Sequence, residues 1–355
     1  MPYLPVVMPI PDASRRRARA FTIVELLVTV GIIALLTAIV ITGVRSALGT
    51  ARKTRELNNM RGVHAAWYQY ANTYEENLLP GYLDEPAQQN WRVNYSNTSG
   101  ASVPRGLSQT YTWRLARFMD DPFGMLLAYR DEGGEANANS DVASEWLGSP
   151  ALPAWMSGTI GAAGSALAYQ PAFGYNAFYV GGWYETVASV PVLRYGDSTW
   201  APATGGTRRG GLVATRLAGI NRTTELAIFV SSTLRSPGTY RDTTSGEDDA
   251  PGNAWATPPI LGSTVIWEPF LGVQRNMDAS GTAPMPAAPA PQSGGTDTGV
   301  LQVNAVQGVP IRRHNRLAAV LRADGSTESA SIAALLDMRL WIDAADRADF
   351  EHLED

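Results

Sequence analysis

The sequence predicts an α+β fold: a long N-terminal α-helix packed on an antiparallel β-sheet head with long loops. Three observations carry this. An apolar run over residues 21–44 leads, with no proline, into Leu57, Met60, Val63, Trp67, Tyr70 and Tyr74, spaced at three and four residues. Beyond Gly81 the pattern changes to short alternating segments separated by Gly, Pro and Asn. Near the C-terminus, residues 317–323, apolar except for Arg322, and polar residues 326–329 flank Asp324-Gly325, a strand–turn–strand signature.

Composition bounds the rest. The chain has 355 residues, 45% hydrophobic and 17% charged, enough apolar material for one large or two small globular parts beyond a membrane segment. The net charge of −5 counts against nucleic acid as a partner. The absence of cysteine excludes disulfides, thiolate zinc sites and a cysteine nucleophile. Histidines are limited to His64, His314 and His352, so no metal site or other cofactor is expected.

Residues 1–20 form a basic leader in which Arg15, Arg16, Arg17 and Arg19 precede the small Ala20. Residues 21–44 are long enough to cross a bilayer, which needs about 20 apolar residues. A secretory signal peptide would place its small-residue cleavage site after the apolar stretch, whereas Ala20 stands before it. One carboxylate, Glu25, lies near the start of the span, where an ionised group asks for a reason. Residues 45–76 continue the helix amphipathically, with Glu56, Asn59, Arg61 and Gln69 on its other faces. One helix over residues 21–74 would be about 80 Å long. The segment Asn77-Leu78-Leu79-Pro80-Gly81 ends it. His64, beside the stripe, reads as a structural histidine.

The run Arg15-Arg16-Arg17-Ala18-Arg19-Ala20-Phe21-Thr22-Ile23-Val24-Glu25-Leu26-Leu27 resembles the N-terminus of type IV prepilins and type II secretion pseudopilins. The resemblance implies cleavage between Ala20 and Phe21, N-methylation of Phe21 and a conserved role for Glu25. Ala20 departs from the Gly usual in that family. Glu25 is then a register device, neutralised in an assembly by the N-terminal amine of a neighbouring subunit; the plainer reading is a carboxylate snorkelling to water. The implied partners are the prepilin peptidase/methyltransferase, other pilin or pseudopilin subunits and inner-membrane lipid. Arg45, Arg52, Lys53 and Arg55 follow the span and nearly balance the leader charge, so it is the resemblance that puts the N-terminus in the cytoplasm and the head outside it.

Residues 77–330 form the head. A short helix is expected at 112–119, an aromatic strand ending in a turn at 173–182, and strands at 211–217, 224–231 and 264–267. Segments 236–259 and 278–298 read as exposed loops. Asp242, Glu247, Asp248 and Asp249 match no EF-hand spacing. His314 followed by nine residues and Asp324-Gly325 resembles the H-X9-DG element of planctomycete-type prepilin-like proteins. A strand between them would hold His314 and Asp324 roughly 30 Å apart, too far for a catalytic pair. Residues 331–355 read as a C-terminal helix over 331–342 and an acidic tail. No nucleophile–base set or nucleotide-binding motif emerges, so the chain reads as a structural subunit and not an enzyme. The competing reading is a helix-anchored module that binds glycan or protein through exposed aromatic residues.

Overall fold

The computed structural model describes residues 22–95, 102–126, 167–168, 171–233, 252–265, 308–310, 317–331 and 333–353. The chain divides into two compact units, Met1–Thr50 and Ala51–Asp355.

Helix α1 (Ile23–Thr73) opens in the first unit. Its segment Ile23–Ile41 is apolar enough to cross a membrane, and none of it is buried. Nineteen residues at 1.5 Å each span about 28 Å, close to the thickness of a bilayer's hydrocarbon core. The Thr29 and Thr37 hydroxyls donate back to Leu26 O and Ile33 O at 2.9 and 2.7 Å. Each thus satisfies its own donor inside the helix, as an apolar surrounding requires.

In the second unit α1 buries Met60, Val63, Ala66, Trp67, Tyr70 and Ala71, while Leu57 is partly buried and Tyr74 is exposed. Glu56, expected on an outward face, is buried instead. The helix closes at Thr73, before the expected Asn77–Gly81 stop. Glu75 and Glu76 turn left-handed (φ 54° and 65°), and Glu76 N–H donates to Ala71 O at 2.8 Å. Asn77 Nδ2 satisfies Tyr74 O at 2.8 Å.

After α1 come β1 (Tyr82–Leu83), α2 (Glu85–Asn90), α3 (Tyr111–Ala116) and α4 (Pro122–Leu126). Next are β2 (Phe173–Tyr175), β3 (Trp183–Val187), β4 (Val190–Leu193), β5 (Thr199–Trp200) and β6 (Arg208–Arg209). The chain closes with β7 (Ala227–Thr233), β8 (Ile260–Leu261), β9 (Thr264–Val265), β10 (Val309–Pro310), β11 (Ala318–Arg322) and β12 (Thr327–Ala330). The main sheet runs β10-β7-β11-β12, with β2 also paired to β7, and every pairing in it is antiparallel. This is the α+β architecture expected from the sequence. A second sheet, β1-β3-β4, adds a parallel pair and a hairpin. The hairpin turns on Ala188 and Ser189, both left-handed (φ 50° and 69°), and leaves Val187, Val190 and Val192 exposed.

Strand β7 is central, so its alternation disappears: Ala227, Ile228, Phe229 and Val230 are all fully buried. It begins later than residue 224 because Glu225 and Leu226 N–H groups close a turn onto Arg222 O. Helix α1 meets the main sheet through Trp67, whose indole donates to Tyr175 OH at 3.1 Å. Asp84 caps α2 by accepting from Ala87 N–H at 2.7 Å, and it also accepts from Thr186 N–H and hydroxyl on β3.

Four further expectations are corrected. The aromatic run 173–182 is a strand only to Tyr175. Asn176 then turns the chain, accepting from Val180 N–H through its carbonyl and donating Nδ2 to Ala227 O and Trp341 O. Residues 211–217 form no strand; isolated bridges join Ala214 to Val180 and Arg216 to Asn77. Residues 252–259, expected in an exposed loop, are buried. Their backbone lies beside β2, with Tyr175 N–H donating to Ala254 O and Ala256 N–H to Tyr175 O. The expected C-terminal helix is two 3-10 turns, Ala334–Leu336 and Met338–Leu340. Asp337, extended at ψ 110°, separates them and caps the second through Arg339 N–H at 2.9 Å.

Candidate functional site

The first candidate site is the start of α1. Thr22 is the last residue before the helix and Glu25 lies in its first turn. The Glu25 carboxylate accepts from Thr22 N–H and from the Thr22 hydroxyl, both at 2.9 Å. In return, Glu25 N–H donates to Thr22 Oγ1 at 3.2 Å. This reciprocal pair is a capping box, which satisfies donors that every helix start leaves open. It also places a negative group at the positive end of the helix dipole. The sequence reading overlooked this local role, although Thr22-Ile23-Val24-Glu25 ahead of an apolar run is its signature. Arg15, Arg16, Arg17, Arg19, Ala20 and Phe21 lie outside the described residues.

The second candidate is the Asp324-Gly325 hairpin. Strands β11 and β12 pair from Ala318–Ala330 to Leu321–Thr327, and residues 323–325 turn between them. Asp324 Oδ1 accepts from Ser326 N–H at 2.9 Å, and Asp324 N–H donates to Thr223 O at 3.0 Å. Partial burial alone would raise the Asp324 carboxyl. Hydrogen bonds from Ser326 and the nearby Arg322 charge outweigh it and hold the group below the usual aspartate range.

Gly325 is left-handed (φ 87°), and a Cβ there would lie 2.8 Å from His64 Cε1 and 2.9 Å from Nδ1. His64 in turn donates Nε2–H to Ala323 O at 3.2 Å. The Asp-Gly turn is therefore seated against α1, and His64 has a structural partner. His314 lies outside the described residues, as do Asp242, Glu247, Asp248, Asp249 and residues 278–298. Among the described residues no cluster of His, Cys, Asp or Glu is arranged to hold a metal ion.

Six of the seven described tryptophans serve the core. Trp67, Trp113, Trp183, Trp200, Trp255 and Trp341 are buried, and Trp91 is exposed. Trp183 stacks on Phe178 at 4.7 Å and on Tyr82 at 4.2 Å.

No curated protein and no solved structure matches the chain. Residues 15–41 match the family model described as a prokaryotic N-terminal methylation motif. That match begins at Arg15, takes in the Thr22–Glu25 cap and ends where the membrane-length segment Ile23–Ile41 ends. The chain thus carries a prepilin-type N-terminal methylation motif on a helix apolar and long enough to anchor it in a membrane.

Proposed function

We propose that the protein is a structural subunit of a type II secretion pseudopilus or a type IV pilus-like assembly, of the pseudopilin or minor-pilin kind. The observation that carries this reading is the methylation motif running without a break into an exposed apolar helix. A prepilin peptidase/methyltransferase cuts between Ala20 and Phe21 and methylates Phe21. The single-pass helix sits in the inner membrane with its N-terminus cytoplasmic and its head outside. Other pilin or pseudopilin subunits then cover the helix. In that assembly Glu25 pairs with a neighbour's N-terminal amine, since opposite charges in low dielectric attract strongly. Until then the capping box gives the carboxylate a partner within its own chain.

The alternative, a helix-anchored module that binds glycan or protein, needs exposed aromatic residues on the head. Burial of the described tryptophans other than Trp91 leaves it little support.

The test is intact mass and N-terminal peptide analysis of the protein from native membranes. A chain starting at Phe21 and heavier by one methyl, about 14 mass units, is expected. A chain starting near Met1, or cut beyond Val44, would overturn the proposal.

A further inference from the structure

The β3–β4 hairpin ends in a tip without charge: residues 186–193 read Thr-Val-Ala-Ser-Val-Pro-Val-Leu. A two-residue left-handed turn favours Asn-Gly, but here Ala188 and Ser189 form it. Val187 pairs with Val190 across the ladder, so these two share a face with Val192. The three valines are 60%, 59% and 45% exposed, and Ala188 and Ser189 are exposed beside them. Contiguous exposed apolar surface of this kind marks a contact site.

The surroundings of the tip narrow the partner. Asn90 Nδ2 donates to Ser189 O at 3.0 Å. A turn carbonyl that water would otherwise serve thus has a partner in its own chain, as a group leaving water requires. Tyr184 stands three residues before Val187, about 10 Å back along the strand. The exposed Trp91 ring lies edge-on to Tyr184 at 4.9 Å. Charge begins at the same level. Glu185, on the valine face, accepts from the Trp183 indole at 2.7 Å, Arg92 follows Trp91 and Arg194 follows Leu193. This layering matches a bilayer surface, where apolar side chains sink about 5–10 Å and Trp and Tyr collect at headgroup level.

A protein partner fits less well, because three valines fall far short of the about 800 Å² per partner that a stable interface buries. So small a contact gains from a partner that is always close. The chain carries its own membrane-length segment, Ile23–Ile41, which keeps lipid at high effective concentration. We propose that the tip of this hairpin, through Val187, Ala188, Val190 and Val192, inserts into the surface of a zwitterionic phospholipid bilayer, with Trp91 and Tyr184 at headgroup level. The chain is acidic as a whole and Glu185 is the charge nearest the tip along the strands, so anionic lipid holds no advantage. The contact belongs to the head and does not require that the chain enter a filament.

The chain has no cysteine, so a single nitroxide label can test this. Full-length protein carrying Val190→Cys, or Asp197→Cys at an exposed control position, is labelled and reconstituted in phosphatidylcholine vesicles. Electron paramagnetic resonance compares each label's accessibility to oxygen, which concentrates in lipid, with its accessibility to a water-soluble nickel chelate. The oxygen-to-nickel ratio is expected to be several-fold higher at 190 than at 197. Adding Val187→Ser and Val192→Ser should bring the ratio at 190 down to that at 197. Equal ratios at 190 and 197 without the serines would overturn the proposal. So would protection of the 190 label accompanied by dipolar broadening between labels, which would put a second copy of the chain there instead. Protection confined to phosphatidylglycerol vesicles would overturn the choice of zwitterionic lipid. If the serine variant proves misfolded by circular dichroism, the comparison of 190 with 197 decides alone.

Discussion

Replacing Gly325 with alanine probes the seat between the Asp-Gly turn and helix α1. Two costs add. The first is conformational: φ is 87°, and holding an L-residue in the left-handed region costs about 1–2 kcal/mol. The second is steric, because the new Cβ would stand 2.8 Å from His64 Cε1. The imidazole has little freedom to yield. It is hydrogen-bonded to Ala323 O, and the Trp67 and Tyr68 rings lie at 5.9 and 6.2 Å. Overpacking of this kind costs about 1–3 kcal/mol. Gly325→Ala should therefore destabilise the head by about 3 kcal/mol. The assay is urea unfolding of the full chain in detergent, repeated in a His64→Ala background. Removing the ring abolishes the steric part, so the penalty there should fall to about 1–2 kcal/mol. A Gly325→Ala cost below about 0.5 kcal/mol would refute the reasoning. An equal cost in both backgrounds would refute its steric half.

Three other outcomes are expected. Thr22→Ala removes the hydroxyl from the capping box and should loosen the first turn of α1 by about 1 kcal/mol, seen as faster amide exchange at residues 23–26 in micelles. Arg222 donates to the carbonyls of Asp343, Arg339 and Ile342, so Arg222→Ala should cost about 2–3 kcal/mol and expose the C-terminal turns to limited proteolysis. Asp337 is held below the usual aspartate range chiefly by hydrogen bonds from Arg339, and Asp324 is low as well. With folded-state pKa values below the unfolded ones, both contribute stability that is complete above the ordinary carboxylate range and lost as pH falls through the lowered values. The midpoint of urea unfolding should drop below about pH 4, and the drop should be shallower in Asp324→Asn.

Features governed by local spacing were legible in the sequence. The stripe at Met60, Val63, Trp67 and Tyr70 is the buried face of α1, and Asp324-Gly325 turns a hairpin between β11 and β12. Features governed by tertiary contact were not. The 252–259 segment reads as a loop because Pro and Gly break any period, but composition says nothing of exposure. Its burial comes from backbone pairing with Tyr175, far away in sequence. The apolar spacing of Leu335, Leu336 and Leu340 suits an α-helix equally well. Asp337 decides otherwise by capping the turn that follows it. Of the candidate site, the charge pattern and Glu25 were plain, whereas the Thr22 cap was written in the sequence and missed. The reason for glycine at 325 needed His64 beside it, 261 positions earlier in the chain.

The β3–β4 hairpin bears on how copies of this protein meet when crowded. Arg194 N–H donates to Trp183 O at 2.8 Å, so residues 190, 192 and 194 direct their backbone toward β3 and residues 191 and 193 direct theirs away. The open flank of β4 would then offer two N–H groups, but Pro191 has none. Another strand arriving there would lose a rung of its ladder and gain little. The exposed side chains of Val187, Val190 and Val192 remain open to contact through the face of the sheet. Neighbours can thus touch this surface side chain to side chain and part again, while merging into one continuous sheet is discouraged by a single imino acid.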